Sequence, residues 1–175
     1  MKDLILKEIY SDSDKEIFIN EVQNAFQVSF EKDFGKYDKV ILPSVDIQES
    51  FNAKGAHIYF AEIDGVRVGG IVVVIDSKTN CSSLDLLYVN SDFQNLGVGY
   101  KIWKRIEKLF PKTSIWVTHT PYFDKRNIHF YINRCWFKVV EFFNPKHKDQ
   151  HLKGETAGNM PIEQNLFFKF EKAMK

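Results

Sequence analysis

Several absences narrow the sequence before any motif does. Cysteine occurs only twice in 175 residues, as Cys81 and Cys135, too few for the disulfide frameworks that staple small secreted domains. The opening "MKDLILKEIYSDSDKE" holds one short apolar run broken by charge, unlike a secretory leader. No apolar run approaches the roughly 18 residues of a membrane span, so a soluble, cytoplasmic chain is expected. Neither sign of charge prevails: 24 Lys and Arg stand against 23 Asp and Glu, a net +1. That balance removes the bulk field of a nucleic-acid binder. Histidines His57, His129, His147 and His151 form no metal set; the last two lie four apart in a Gly/Lys-rich loop without a third ligand. There is no internal repeat and no shift of composition, so residues 1–175 are expected to form a single domain.

What the chain has is material for a core: 44% apolar and 15% aromatic residues, with 16 Phe. "LILKEIY" (Leu4–Tyr10) predicts a first strand. The following segment predicts a helix, with Ser13 and Glu16 at capping-box spacing and Phe18, Val22, Ala25, Phe26 and Ser29 along one face. Gly35 and Pro43 interrupt the next stretch, read as a loop and a short helix. Two β-rich runs flank Asp64-Gly65, the signature of a tight hairpin. A strand at Ser82–Val89, a helix near Gly97–Phe110, and strand, helix and strand to Phe143 complete the pattern. A polar loop at Asn144–Gln164 precedes the final strand, "LFFKFEKAM". The order is that of an α/β fold with a mixed sheet and antiparallel hairpins at both ends.

Within it, "VNSDFQNLGVGYKIWKRIEK" (Val89–Lys108) places Gly97 and Gly99 where a strand gives way to an amphipathic helix. Glycine lets backbone N–H groups converge without a Cβ in the way. The first N–H groups of a helix lack partners and sit at the positive end of its dipole, which suits a phosphate. A glycine pair also serves a plain turn with positive φ. A Walker loop is excluded, since GxxxxGK[ST] is missing, and GxGxxG fails for want of a third glycine, Trp103 and Lys104 standing near where it would fall.

The same stretch resembles motif A of the GNAT superfamily of N-acetyltransferases: a strand-ending Val89, then Gln94-x-x-Gly97-x-Gly99 opening a helix. "HFYINRCWFKVVEFF" resembles the second signature of that family, and the order of elements agrees along the whole chain. The resemblance implies the family's fold, a mostly antiparallel central sheet with a splayed strand pair flanked by helices. It implies acetyl-CoA as acyl donor, with no metal. It places cofactor contacts on Leu87, Tyr88 and Val89 and on Gln94, Asn95, Leu96, Gly97, Val98 and Gly99. Two departures matter. Asp124 stands where the family often has Asn, and either contacts the cofactor or caps the helix starting there; Asn127, three residues later, is also expected among the cofactor contacts. Trp136 stands where Gly usually precedes Phe, here Phe137, and the Tyr-to-Phe distance is one residue longer than the common form.

Acetyl transfer to an amine needs an uncharged nucleophile, a donor for the developing oxyanion and a proton for the leaving thiolate. A backbone N–H at or beside Val89 answers the second need. Tyr131, protonated at neutral pH, answers the third; anchoring the signature on Phe137 would put Ile132 there instead. For a base, alternation puts Asp85 with Leu87 and Val89 on one face of an apolar strand, opposite Leu84, Leu86 and Tyr88. Burial there would raise its pKa, unless it pairs with Arg67 or faces solvent. Glu62 and His119 are further candidates. Val98, Ile102, Trp103, Ile106 and Leu109 form a core stripe, and the charges of "KIWKRIEK" a solvated face, Lys101 and Lys104 being near enough the helix start to hold phosphate.

The expected activity is therefore acetyl transfer to a primary amine of a small molecule or peptide, by a monomer or homodimer with no nucleic-acid or membrane partner. A catalytically silent acyl-CoA-binding domain is the alternative. The acceptor pocket is expected between Glu16–Ser50, with Phe30, Phe34, Tyr37 and Phe51, and the late loop, with His147, His151 and Glu155.

Overall fold

The computed structural model describes residues 3–150 and 166–175. Its elements are β1 (Leu4–Glu8), α1 (Asp12–Phe34), α2 (Ser44–Asn52), β2 (Ala56–Ile63), β3 (Val66–Val74), β4 (Cys81–Val89), α3 (Val98–Leu109), β5 (Ile115–Pro121), α4 (Lys125–His129), β6 (Lys138–Phe143) and β7 (Phe167–Ala173). They follow the order expected from the sequence. The seven strands form one sheet, β1-β2-β3-β4-β5-β7-β6, antiparallel except where β4 meets β5. The β2–β3 hairpin turns at Asp64 and Gly65, with φ of 54° and 76°, the paired positive φ of a type I′ turn.

α1 begins earlier than the expected capping box. Its N-cap is Ser11, whose Oγ accepts from the Asp14 N–H at 3.2 Å. Asp12 and Asp14 in the first turn suit the helix dipole, which outweighs the box at Ser13. The helix ends at Gly35, with φ +84°.

Two apolar layers sandwich the sheet. Phe18, Val22 and Ala25 of α1, with Ile47 and Phe51 of α2, pack on one face against Leu86 and Tyr88. Ile102, Trp103 and Ile106 of α3 pack on the other, with Leu84, Trp116, Tyr131 and Phe137. Leu109, expected in that stripe, is half exposed. Leu84 and Leu86 thus face opposite ways, contrary to simple alternation. The cause is a bulge: Val72 pairs with Leu86 and Val73 with Leu84, leaving Asp85 as the extra residue. Glu107, under α3, is buried between Lys104 and Lys172. Lys104, though partly exposed, is therefore committed to an ion pair with Glu107 and not to holding phosphate.

Candidate active site

The site begins where β4 and β5 separate. They pair only from Cys81 to Ser83, against Ile115 to Val117. Beyond that point Thr118 Oγ1 donates to the Leu84 carbonyl at 2.9 Å, and the strands then diverge. On its other edge β4 stays bound to β3, with the Asn90 N–H donating to the Val68 carbonyl at 2.9 Å. Successive residues of a strand turn their backbone groups to alternate sides, so those of Leu87 and Val89 turn toward the gap. Tyr88 instead turns its backbone to β3, and its hydroxyl donates to Glu21 Oε2 at 2.7 Å. Tyr88, expected among the cofactor contacts, borders the cavity with its backbone turned to β3.

At the end of β4 a short 3₁₀ turn, Ser91–Phe93, leads to Gln94. Asn95 and Gly97 hold left-handed φ, at 62° and 75°. Gly97 is the N-cap of α3, which has no side-chain cap and no acidic residue in its first turn. The first helical bond runs from the Lys101 N–H to the Gly97 carbonyl, so the N–H groups of Val98, Gly99 and Tyr100 precede it. The two glycines serve different ends. A Cβ on Gly97 would meet nothing within 4 Å, so its backbone angle is what matters. A Cβ on Gly99 would lie 3.4 Å from the Phe130 ring and 3.6 Å from Val89 Cγ2, so there the gap is kept open. An uncapped helix start with a cleared approach fits a diphosphate group. Gln94 braces the turn: its Nε2 donates to the Val89 carbonyl at 3.0 Å, and its Oε1 accepts from Arg126 at 2.8 Å. Arg134 lies over the Tyr100 ring, 5.7 Å from its centre.

Asp124 caps α4. Its Oδ1 accepts from the Asn127 N–H at 3.0 Å and its Oδ2 from Asn127 Nδ2 at 2.8 Å. Of its two expected roles the structure has the cap, and both residues are spent largely on each other although they border the cavity. After α4 the chain continues as a π-helix, Phe130–Arg134, with Cys135 N–H bonded to the Phe130 carbonyl. A π turn takes up one extra residue, which accounts for the long Tyr-to-Phe spacing. It buries both Tyr131 and Phe137, their ring centres 5.6 Å apart. Tyr131, not Ile132, borders the cavity. Burial pushes its phenol above the ordinary value, with hydrogen bonding to Thr118 offsetting this in part. It is a firmly protonated acid at neutral pH. Trp136 follows with φ +66°, the backbone angle a glycine would take there, and is 74% exposed.

Asp85 and His119 border the same gap from the α1–α2 face. Asp85 is exposed and accepts from Ser83 Oγ at 2.6 Å, so the burial expected to perturb it is not present. Nor does Arg67 pair with it: Arg67 binds Glu21 at 2.7 Å and lies over Phe60. Glu62 is remote, on β2 opposite Arg67. The His119 imidazole is held below its ordinary value, chiefly by burial, with the Lys169 charge adding and Asp149 and Asp85 opposing. Its side chain is 44% exposed, and its ring stacks on Phe143. Nothing local in the sequence shows that β5 turns His119 toward Asp85, so from sequence it is only a further candidate.

Together these residues border a cavity of about 530 Å³ that passes through the split sheet. Phe30, Phe34 and Asp33 of α1 and Asp46 of α2 wall one end; the glycine turn, Arg126 and Arg134 wall the other. Of the residues expected around the acceptor, Tyr37 packs on Phe30, while Phe51 is buried against Phe18 in the core. His147 pairs with Glu141 at 2.8 Å; His151 and Glu155 lie outside the described residues. Among the described residues no group of three or more His, Cys, Asp or Glu could hold a metal, and no helix is long and apolar enough to cross a membrane.

A mixed sheet split at one parallel pair, with a glycine turn and an uncapped helix at the split, defines an acyl-CoA acyltransferase fold. The Acetyltransferase (GNAT) family matches residues 19–135, well over half of the chain, and the protein belongs to that family. It is 42% identical over 174 residues to the uncharacterized protein YrkN of Bacillus subtilis (strain 168), covering 98% of this chain and 94% of that one. Solved structures agree in fold. A GNAT family acetyltransferase from Elizabethkingia anophelis with acetyl-CoA bound superposes with a TM-score of 0.69 at 13% identity, covering 99% of this chain and 100% of that one. A Bacillus subtilis acetyltransferase in complex with CoA gives 0.63 at 14% identity, covering 100% of both.

Proposed function

We propose that the protein transfers the acetyl group of acetyl-CoA to a primary amine of a small molecule or peptide, by direct attack of the amine. The observation that carries this is the gap between β4 and β5, faced by an acid from one side of the sheet and a base from the other. Bound acetyl-CoA would supply an acetyl group activated as a thioester. The amides at the start of α3 would hold its diphosphate, with Arg126 and Arg134 adding positive charge. The backbone of Leu87 and Val89 would bind the pantetheine arm, and the Val89 N–H would donate to the carbonyl oxygen as charge develops there.

His119, neutral at pH 7, takes the proton of the attacking amine. Asp149, 4.0 Å from its Nε2, and Asp85 act through it, their negative charge favouring the imidazolium that forms. Tyr131 Oη gives a proton to the departing thiolate. An imidazole titrating below 6.5 is ready to accept at neutral pH, and the second proton lost from nitrogen, after attack, replaces the one Tyr131 gives up. The test is release of thiol from acetyl-CoA across a panel of amines. Turnover with at least one amine is expected; tight CoA binding with no turnover on any would favour the silent binding domain.

A further inference from the structure

The two ends of the cavity differ in chemistry, and the difference bears on the acceptor. At the α3 end the bordering cations are Arg126 and Arg134, with His129 and the α4 cap Asp124 also on the lining. At the α1–α2 end they are Asp33, Asp46 and, at the split, Asp85. The same cavity is lined by three rings. Phe30 lies 4.8 Å from Phe34 and 5.4 Å from Phe123, and Phe34 lies 5.6 Å from Phe123. Phe123 meets both at close to a right angle, 90° and 87°, so the three rings form a corner and not a closed stack. Phe34 keeps 48% of its surface exposed at the end of α1. An apolar face left open beside a cavity is completed when a flat ring enters it.

Asp46 is half-buried with no cationic partner among the described residues. Burial and the neighbouring Glu49 hold its carboxyl above the ordinary range. Desolvation of a carboxylate is relieved by a nearby positive charge. An ammonium group would meet that need on its way to His119.

We propose that the acceptor is a monocationic amine carrying an aromatic ring, of the arylalkylamine class, with its ring in the Phe30–Phe34–Phe123 corner and its ammonium drawn in by Asp33 and Asp46. This rests on the acetyl-transfer reading above for its chemistry, but not for its binding. A zwitterionic amino acid would set its carboxylate among the aspartates. A polyamine would leave the rings uncovered.

The test is calorimetry on the intact chain saturated with CoA, using 2-phenylethylamine, spermidine, n-butylamine and phenylalanine as probes. The expected result is binding of 2-phenylethylamine at least about 10-fold tighter than the other three, as ring contact and ion pairing together would give. Asp33→Asn and Phe34→Ala, both at exposed positions, should each weaken it by roughly 3- to 10-fold while leaving CoA affinity unchanged. Equal or weaker binding of 2-phenylethylamine than of spermidine or phenylalanine overturns the proposal, as does indifference to both substitutions. Thiol release is read separately. Selective binding without release would sink the acetyl-transfer reading and leave the acceptor site standing; release with a different amine, without selective binding, would do the reverse.

Discussion

Trp136 holds φ at +66° with most of its side chain in solvent. A bulky residue in the left-handed region costs about 1–2 kcal/mol, and glycine would give back part of that through the entropy of its unfolded state. Trp136→Gly is therefore expected to stabilise the fold by about 0.5–1 kcal/mol, read as a rise in urea midpoint with unchanged slope. Tyr131→Phe keeps the ring packing on Phe137 and removes the proton donor. It should lower kcat by roughly 100-fold or more while hardly moving the KM for acetyl-CoA. For His119 the direction of its shift fixes the sign of the pH dependence. The folded form titrates below 6.5, so kcat/KM should rise with pH through a midpoint below 6.5 and flatten above it. His119→Ala should remove this acidic limb and cost roughly 100-fold. Stability follows the same sense: the unfolded chain binds the proton more readily, so the folded state weakens as pH falls below 6.5.

The elements show where local pattern is a sufficient guide and where it is not. Hairpin turns, the α3 stripe and the strand order of β2 to β4 were legible because each is set by residues close in sequence. The bulge at Asp85 was not, since it depends on how β4 registers against β3, and a single extra residue moved Leu84 to the opposite face from Leu86. The π segment was visible only as an unexplained spacing between Tyr131 and Phe137. The buried Lys104–Glu107–Lys172 group was hidden too: it joins α3 to β7 across the fold, and from α3 alone its charges read as a solvated face. Removing its centre strands two lysines. Lys172 is well buried but Lys104 is 44% exposed, so Glu107→Gln should destabilise by about 2–3 kcal/mol, at or below the lower end for a broken buried pair. Thermal unfolding with intact CoA binding before the transition would check this.

At the scale of the molecule, the sheet does two jobs by failing to close. Where β4 leaves β5 it exposes backbone groups of Leu87 and Val89, and it lets one cavity reach both faces. The α3 face then carries the open amides and arginines, and the α1–α2 face the aspartates and rings. The resemblance pointed to this helix start because motif A is local; Arg126 and Arg134 carried no such signal and join it only in the fold. The second set is assembled from α1, α2, β4, β5 and the turn at Phe123, and only the fold brings these together. The proposed activity depends on the helix start at Gly97 to Tyr100 receiving a diphosphate. The direct measurement is calorimetric titration of the unliganded protein with CoA and, separately, with pantetheine, which lacks that group. Micromolar binding of CoA is expected, with pantetheine at least about 100-fold weaker, the loss of several hydrogen bonds to a charged group. No heat with CoA at millimolar concentration, or pantetheine binding as tightly as CoA, would contradict it.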